Sequence, residues 1–379
     1  MSNEVTPQEG VKSTHRRNII FAIINKDEDF ERIKIMRHLA SIQEIVDIKP
    51  IPDADKIELA LVLGWQSVVP KGQMRAGDKV VYFEVDSFLP IQNRFAFLEK
   101  SCYRNNEFCG EGYKIFTQKF RGEISQGLIL PLSEFPEIDG DVAVGTDVTD
   151  LIGVRKWEIP EVAGNVGTAF RKKPYGIPTT DETRIQSITE LVERLQGKPY
   201  YISTKMDGTS CTMYCINGEF GVCGRTDEYK DDGKSMMYEF AKQHGIDEKL
   251  REYNDNTGQS IVIQGEFCGP KIQKNRLGLR EYKWYVFNVL DGDKMRLRPL
   301  FDMIAFCEAM QLETVPIEEV EASFNYTVEE LIERAKGKYP SGQNKEGIVI
   351  RPQTPEYCYE LGKSLSFKVL NNDFLAKEK

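Results

Sequence analysis

The sequence predicts an α+β protein in which a small all-β barrel precedes a domain built on an antiparallel sheet. Short runs of β-branched and aromatic residues, separated by turn residues, fill residues 36–132. A stretch rich in glycine and proline follows at residues 153–184, as expected at a boundary between domains. Beyond it, apolar runs that end on polar residues alternate with amphipathic segments. This order of elements favours two domains of different architecture.

The composition is that of an ordinary globular protein, with 379 residues, 40% of them hydrophobic and 29% charged. That length leaves room for two domains, each with its own core. No apolar run reaches membrane-spanning length, and the N-terminus carries no signal-peptide pattern. We therefore expect a cytoplasmic protein, or a nuclear one in a eukaryote, with no membrane partner. Nothing in the sequence suggests more than a monomer.

The net charge and the metal-binding residue types limit which partners and which metal sites are expected. The net charge of −9 argues against a protein that coats nucleic acid nonspecifically, although it allows a local basic groove. The eight cysteines lack paired spacing and the three histidines are far apart, which disfavours zinc, disulfides and histidine-based catalysis. Any metal would therefore be bound by carboxylates, the ligands that magnesium and manganese prefer.

The first domain is predicted at residues 34–152, after a polar extension at residues 1–33 for which the sequence indicates no function. Its predicted strands are residues 39–48, 57–69, 79–85, 113–120 and 127–132. Short strands of this number are typical of a closed barrel, and an OB-fold is the commonest candidate. Trp65 and Phe88 could be exposed for stacking on bases, but for each ring a place in the barrel core is favoured.

Three helices are predicted in the second domain. A capping box formed by Ser187 and Glu190 predicts the first helix, with Gly197 as its end. Two further amphipathic helices are expected to begin at Pro299 and at Thr327. Between the first helix and these two, residues 210–216 and 219–223 are predicted strands, joined by a two-residue hairpin turn at Asn217-Gly218.

The stretch around Lys205 organises this domain, which is predicted at residues 185–379 after a linker at residues 153–184. A β-branched and aromatic strand ends at Lys205 and an Asp-Gly turn follows, so the lysine is held rigidly. A lysine nucleophile needs such a site, because a fixed and partly dry environment lowers its pKa. Asp207 lies on the same side of the chain and could help to hold a metal ion. The Lys-x-Asp-Gly pattern alone is weak and more often marks an exposed turn.

Polar groups stand at the ends of several later strands. Arg225 follows a hairpin strand, Glu266 lies near two glycines, Glu346 precedes an apolar strand, Lys368 lies in the last strand, and Phe287 lies on a further one. Taken singly, each has an ordinary explanation as a turn carboxylate, a core ring or a solvated strand end. Together they predict side chains that converge on one site.

This order of motifs resembles the nucleotidyltransferase core of ATP-dependent ligases and capping enzymes, an ATP-grasp-like fold. The segments most similar to RNA ligases are residues 264–270, 284–289, 346–352 and 366–374. DNA ligases and capping enzymes carry an OB domain after the last lysine motif, whereas here the predicted barrel is N-terminal and only residues 369–379 follow Lys368. That arrangement resembles the Deinococcus- and Naegleria-type RNA ligases, which join 3′-OH and 5′-phosphate RNA ends in nicked duplexes.

The resemblance implies a role for each motif residue. The implied catalytic residues are Lys205, which would attack the α-phosphate of ATP and carry AMP, with Lys368 and Glu346. The implied nucleotide-binding residues are Thr204, Lys205, Arg225, Glu266, Phe287 and Lys368, with Phe287 on the adenine. The implied ligands of a divalent metal, Mg or Mn, are Asp207, Glu266 and Glu346. AMP would then move to the 5′-phosphate, and the 3′-OH would displace it to seal the nick in RNA repair.

One position departs from the pattern. Many relatives have two lysines spaced Lys-x-Lys in the last motif, and here the first of them is Ser366. Lys363 could substitute for it, or the phosphate would have one cation fewer. This difference bears on the efficiency of a step rather than on the chemistry.

Three alternatives remain open on the sequence alone. A DNA ligase or a capping-type guanylyltransferase would share Lys205 but is expected to need a C-terminal OB domain. A non-catalytic RNA-binding protein on the same scaffold is expected to have lost Lys205, Glu266 or Glu346, and all three are present. The expected partner is a nicked RNA-containing duplex, which the barrel would help to clamp, although a barrel that docks a protein partner is also possible.

Overall fold

The computed structural model describes residues 38–157 and 167–376. The predicted polar extension at residues 1–33 lies outside these ranges. The architecture is α+β and strands predominate, as the sequence predicts. No helix within the described ranges is long and apolar enough to cross a membrane.

The N-terminal domain consists of short strands with single-turn helices between them. Its strands are β1 (Ala40–Pro50), β2 (Ile57–Val62), β3 (Trp65–Pro70), β4 (Lys79–Phe83), β5 (Ser87–Leu89), β6 (Tyr103–Asn106), β7 (Gly110–Lys114), β8 (Gln118–Phe120), β9 (Glu123–Ser125), β10 (Leu128–Pro131) and β11 (Arg155–Lys156). Its helices are α1 (Glu99–Cys102) and α2 (Thr149–Ile152), with 3₁₀ turns at Asn93–Leu98 and Leu132–Glu134. The main sheet has the order β10-β4-β1-β2-β3, and a second sheet has the order β11-β5-β7-β6.

The main sheet closes into a barrel because its two edges meet. The Gln126 amide, just before β10, donates to the Gln66 carbonyl of β3 at 2.8 Å. The Ser67 hydroxyl donates to the Gln126 carbonyl at 2.7 Å and strengthens the same seam. Trp65 and Phe88 are both buried, which confirms the core interpretation for each ring.

The predicted strand at residues 57–69 is in fact a hairpin. The chain reverses at Leu63, whose φ is 53°, and β2 and β3 pair as antiparallel strands on either side. The turn packs against the second domain, where the Gly64 amide donates to the Gln186 carbonyl at 3.0 Å. A Cβ on Gly64 would come within 2.8 Å of the Gln186 Cα, so only glycine fits this approach.

The second domain combines long strands with peripheral helices. Its strands are β12 (Ala169–Lys172), β13 (Thr183–Arg184), β14 (Tyr200–Lys205), β15 (Thr209–Ile216), β16 (Glu219–Cys223), β17 (Asp227–Tyr229), β18 (Ile261–Cys268), β19 (Lys283–Asp291), β20 (Arg296–Leu297), β21 (Ile317–Glu321), β22 (Gly347–Pro352), β23 (Tyr357–Cys358), β24 (Lys363–Ser364) and β25 (Phe367–Leu370). Its helices are α3 (Leu191–Leu195), α4 (Met236–Gln243), α5 (Ile246–Thr257), α6 (Leu300–Met310), α7 (Val328–Arg334) and α8 (Asn372–Leu375), with a 3₁₀ turn at Ile185–Ser187.

Two sheets organise this domain. The larger has the order β12-β17-β16-β15-β18-β19-β20, and the smaller has the order β13-β25-β22-β14-β21. Neighbouring strands pair antiparallel except for β13, which runs parallel to β25. Each sheet has its own buried apolar cluster, and the helices pack against those clusters. The strands that carry the predicted site residues therefore belong to two separate sheets of the same domain.

Local turn and cap predictions mostly hold. Asn217 and Gly218 have φ values of 52° and 80° and form the predicted two-residue turn between β15 and β16. Thr327 and Glu330 form the predicted capping box of α7, and Pro299 is the N-cap of α6.

The capping box predicted for the first helix is wrong. Helix α3 begins at Leu191, and its N-cap residue, Glu190, makes no side-chain cap. The Ser187 hydroxyl instead donates to Glu84 of the barrel at 2.6 Å. The Ser187 hydroxyl, which was predicted to cap the helix, is thus used in a hydrogen bond to the other domain.

Parts of the predicted linker at residues 153–184 lie in strands. β11 pairs with β5 of the barrel domain, whereas β12 pairs with β17 of the second domain. The described ends of this segment are thereby anchored to different domains. Polar contacts join the domains directly, including Arg184 Nη2 to Asp86 Oδ2 at 3.2 Å and Gln126 Nε2 to Asn372 Oδ1 at 3.2 Å.

Candidate active site

Lys205 is the last residue of β14, the strand that lies between β22 and β21 in the smaller sheet. Its register partner in β22 is Gly347. A Cβ on Gly347 would lie 2.1 Å from the Val369 carbonyl oxygen, so glycine is required where β22 and β25 approach. A Cβ on Gly208 would likewise lie 2.6 Å from the Phe267 carbonyl oxygen. The glycines of the Lys-x-Asp-Gly and Glu-Gly motifs therefore allow the close strand packing that fixes Lys205.

The Lys205 ammonium forms an ion pair with Glu346, with Nζ and Oε2 2.9 Å apart. Both side chains are largely buried, at 21% and 18% exposed. Burial disfavours the charged lysine, but the negative charges of Glu346, Glu266 and Asp207 outweigh it and raise the pKa of Lys205. The ligand-free site therefore raises the pKa of Lys205 instead of lowering it as the sequence predicts, and Lys205 is a protonated amine rather than a free nucleophile.

Lys368 lies beside this pair on β25, with Val349 of β22 as its register partner. Burial, together with the positive charges of Lys205 and Arg184, lowers the pKa of Lys368 to about 7. The pKa values of two lysines that face the same cleft are therefore shifted in opposite directions. An anionic ligand between them would remove the unfavourable interaction of the second lysine with the first.

A cleft of about 220 Å³ lies between the two sheets. The predicted site residues that line it are Thr204, Lys205, Arg225, Glu266, Phe287 and Lys368. Asp181 and Glu182 line it as well, from the segment before β13. The sequence motifs thus converge from β14, β18, β19 and β25 on one cavity.

Phe287 enters the cleft through a β-bulge. Gln264 and Gly265 of β18 pair with Asn288 and Val286 of β19, so the intervening Phe287 has no register partner. A bulge of this kind redirects a side chain. The Arg351 guanidinium lies 5.7 Å from the ring centroid and makes a cation–π contact with the ring.

The three carboxylates predicted as metal ligands surround Lys205 but do not form a preformed metal cage. Asp207 forms an ion pair with Arg276, with Oδ2 and Nη1 2.8 Å apart, while Glu346 pairs with Lys205. Within residues 38–157 and 167–376, no three histidine, cysteine, aspartate or glutamate side chains are grouped to hold a metal ion. Carboxylate oxygens suit Mg²⁺ or Mn²⁺, and such ions commonly take only one or two protein ligands, with the rest from phosphate and water. The donor set therefore fits a metal that binds together with a nucleotide.

The substituted position of the last motif joins a different network. The Ser366 hydroxyl donates to Glu182 at 2.7 Å, and Arg351 donates to the same carboxylate at 2.8 Å. Lys363 bonds to the Asp181 carbonyl and lies 3.4 Å from Glu182. Lys363 is directed to this acidic residue and is not among the described residues that line the cleft.

Several residues around the site were missed from the sequence. Glu182 was not among the predicted site residues, and Arg351 was included only within the motif at residues 346–352. Tyr339 bonds to the Lys205 carbonyl and Glu318 bonds to the Thr204 hydroxyl. Neither Tyr339 nor Glu318 lies in a sequence pattern that predicts such a contact. Their partners are far away in the chain, so spacing could not reveal them.

Comparisons with known proteins agree with this architecture. An RNA ligase family model matches residues 198–370, and an OB-fold domain model matches residues 39–132. The structure of a Naegleria gruberi RNA ligase variant with ATP and Mn is similar, at 30% identity and a TM-score of 0.81, over 90% of this chain and 99% of that one. A second variant, with AMP and Mn, gives 31% identity and a TM-score of 0.81 over the same shares. The same ligase with PPi gives 31% identity and a TM-score of 0.80, also over 90% and 99% of the two chains. Comparison with curated protein sequences gave no match.

A barrel followed by paired sheets is the fold that this chain shares with these ligase structures over 90% of its length, and the class of the protein is that of a ligase. The chain belongs to the RNA ligase family.

Proposed function

We propose that this enzyme uses ATP to seal 3′-OH/5′-phosphate nicks in RNA-containing duplexes through a lysyl-AMP intermediate, in RNA repair. The observation that carries the proposal is the position of Lys205, which is fixed at a strand end, ion-paired with Glu346, and lines the same cleft as Lys368. The Naegleria ligase structures with ATP, AMP and PPi support the choice of nucleotide.

In the first step, Lys205 Nζ forms a bond to the α-phosphorus, and the bond from that phosphorus to the pyrophosphate oxygen breaks. The amine must first lose a proton, and Glu346 at 2.9 Å is placed to accept it. Lys368 would neutralise the charge that builds on the α-phosphate. The electron pair leaves with pyrophosphate, and AMP remains on Lys205.

The rest of the cleft would hold the nucleoside. Phe287 offers a ring for stacking on adenine, while Arg225 and Glu266 offer polar groups for the ribose. Thr204 is held by Glu318 and forms part of the wall. Thr204, Glu266 and Phe287 lie on strands, and Arg225 lies in the short turn between β16 and β17. Such fixed positions suit a reaction that depends on alignment.

A divalent metal would fit the oxygen donors of Asp207, Glu266 and Glu346. When bound, it would offset negative charge on the phosphates. The pairing of Asp207 with Arg276 means that this ligand has to exchange partners or act through water.

Two later steps would complete sealing. The 5′-phosphate oxygen at the nick attacks the phosphorus of lysyl-AMP, which frees Lys205 and gives a 5′-adenylylated end. The 3′-OH then attacks the phosphorus of the 5′-phosphate, and AMP leaves. The partner is accordingly a nicked RNA-containing duplex, and the N-terminal barrel would help to hold it.

The test uses two nicked duplexes, one with a 5′-phosphate and one already 5′-adenylylated, with wild type and Lys205→Ala. We expect wild type to seal the 5′-phosphate nick with ATP, and Lys205→Ala to fail on it. Lys205→Ala should still seal the adenylylated nick without ATP, because that step needs no lysine nucleophile. Failure of wild type on both duplexes would contradict nick sealing.

A further inference from the structure

One buried hydroxyl links the backbones of Lys205 and Glu346. The paired register of β14 and β22 ends at Lys205 and Gly347. At this end, the Tyr339 hydroxyl donates to the Lys205 carbonyl at 2.7 Å and accepts from the Glu346 amide at 3.1 Å. The Tyr339 hydroxyl thereby takes the place of a backbone hydrogen bond between the strands where they separate. It satisfies one carbonyl and one amide of the backbone at once.

A carboxylate makes a second link between the same two chain segments. Glu318 of β21 accepts from the Thr204 hydroxyl at 2.7 Å and from the Lys345 ammonium at 2.6 and 2.8 Å. Thr204 immediately precedes Lys205, and Lys345 immediately precedes Glu346. Burial opposes the charged form of the carboxylate, but Lys345 and Thr204 outweigh it and lower the pKa of Glu318.

Neither Tyr339 nor Glu318 is among the described residues that line the cleft. Tyr339 is 5% exposed and Lys345 is 6% exposed. Apolar side chains could fill the same space without the cost of burying a hydroxyl and an ion pair. The polar groups are therefore better explained by what they hold than by packing.

We propose that Tyr339 and Glu318 are positioning residues that hold the Lys205 amine and the Glu346 carboxylate in alignment for lysine adenylylation. This inference rests on the proposed function. Because reaction rates fall steeply when reacting groups are misaligned, loosening either link slows the step. We expect ATP binding to be kept, because neither side chain is among the described residues that line the cleft, and a glutamine at position 318 would keep an acceptor for Thr204.

The test compares Tyr339→Phe and Glu318→Gln with a matched control, Tyr326→Phe. The Tyr326 hydroxyl bonds to Glu319 at 3.0 and 3.1 Å in the same domain, and Tyr326 is not among the described residues that line the cleft. Single-turnover formation of labelled lysyl-AMP is measured over a series of ATP concentrations, and thermal unfolding is measured in parallel. We expect the maximal rate in both positioning variants to fall by about 10- to 100-fold, with half-saturating ATP unchanged. The control should keep the wild-type rate.

The outcomes separate the two proposals. Wild-type rates in both positioning variants would overturn the positioning role alone. An equal loss of the maximal rate in Tyr326→Phe would mean that the two residues act only through the stability of the fold, and would also overturn the positioning role. The same conclusion would follow if a rise in the half-saturating ATP concentration accounted for the whole loss of activity. If Tyr339→Phe does not fold, Glu318→Gln decides, because glutamine keeps an acceptor for Thr204 and removes the charge and one of the acceptor oxygens that Lys345 and Arg334 use. No adduct on wild type would overturn the proposed function itself.

Discussion

At the scale of single residues, the two cleft lysines have opposite protonation behaviour in the ligand-free protein. Glu346 and its neighbouring carboxylates outweigh burial and raise the pKa of Lys205. Burial and the charge of Lys205 lower the pKa of Lys368 to about 7. The site thereby avoids two adjacent buried cations until a phosphate arrives to balance them.

This difference predicts proton uptake on nucleotide binding. Above pH 7 Lys368 is mostly neutral, and a bound phosphate raises its pKa, so binding takes up a proton and weakens as the pH rises further. Calorimetric titration with the α,β-methylene analogue of ATP at pH 8, in two buffers of different ionisation enthalpy, measures the protons exchanged. Lys368→Arg is the control, because arginine stays charged and should remove the uptake. Equal uptake in both proteins would count against the assignment of Lys368.

The sequence identified the residue types of the site but not how they are held. Lys205, Glu266, Phe287 and Lys368 were predicted from their positions at strand ends, and all of them line the cleft. The pair of Arg351 and Glu182 was not, because its members are 169 positions apart and the contact depends on the folded sheet. Roles in nucleotide and metal binding stay predictions until measured.

At the scale of elements, the packing of β22 against β25 depends on Gly347. A Cβ at this position would lie 2.1 Å from a backbone oxygen, a clash that only backbone movement can relieve. Gly347→Ala should therefore lower the free energy of unfolding by roughly 2 kcal/mol or more. Gly342→Ala is the matched control: its φ is 82° but nothing lies within 4 Å of the added atom. Gly342→Ala should lower the free energy of unfolding by less, about 1 kcal/mol, because backbone strain is the only cost.

Urea denaturation of both variants measures this difference. An equal cost for the two alanines would mean that β22 and β25 can separate freely, contrary to the structure.

Elements were predictable where local signals decide them. The turn at Asn217 and Gly218 and the cap at Thr327 depend on neighbouring residues, and both form as predicted. The cap at Ser187 does not form, because its hydroxyl bonds to Glu84 of the other domain. The bulge at Phe287 follows from pairing with a distant strand, which no local pattern encodes.

At the scale of the whole molecule, the barrel contacts the catalytic domain through the segment around β13 and through α8. Arg184 pairs with Asp86, and Gln126 bonds to Asn372. Arg184 is also the register partner of Lys368. The barrel is thus placed next to the strand that carries a cleft lysine. The order of the two domains was predictable from sequence, but these contacts were not.

Deleting the residues before about Asp150 tests the role of the barrel. Lysine adenylylation should remain largely intact, because the residues that line the cleft all belong to the second domain. Nick sealing should be lost, because the barrel is proposed to help hold the duplex. The two activities are compared by gel analysis of labelled protein and labelled RNA, with full-length Lys205→Ala as the control that loses both. Equal loss of both activities on deletion would contradict the clamp.

The role proposed for Lys205 is that of a nucleophile that carries AMP. Its most direct test is the intact mass of the protein after incubation with a divalent metal and either ATP or GTP, for wild type and Lys205→Ala. We predict an adduct of one AMP on the wild type with ATP only, absent from the variant. A GMP adduct would indicate capping chemistry instead, and no adduct with either nucleotide would contradict the catalytic account.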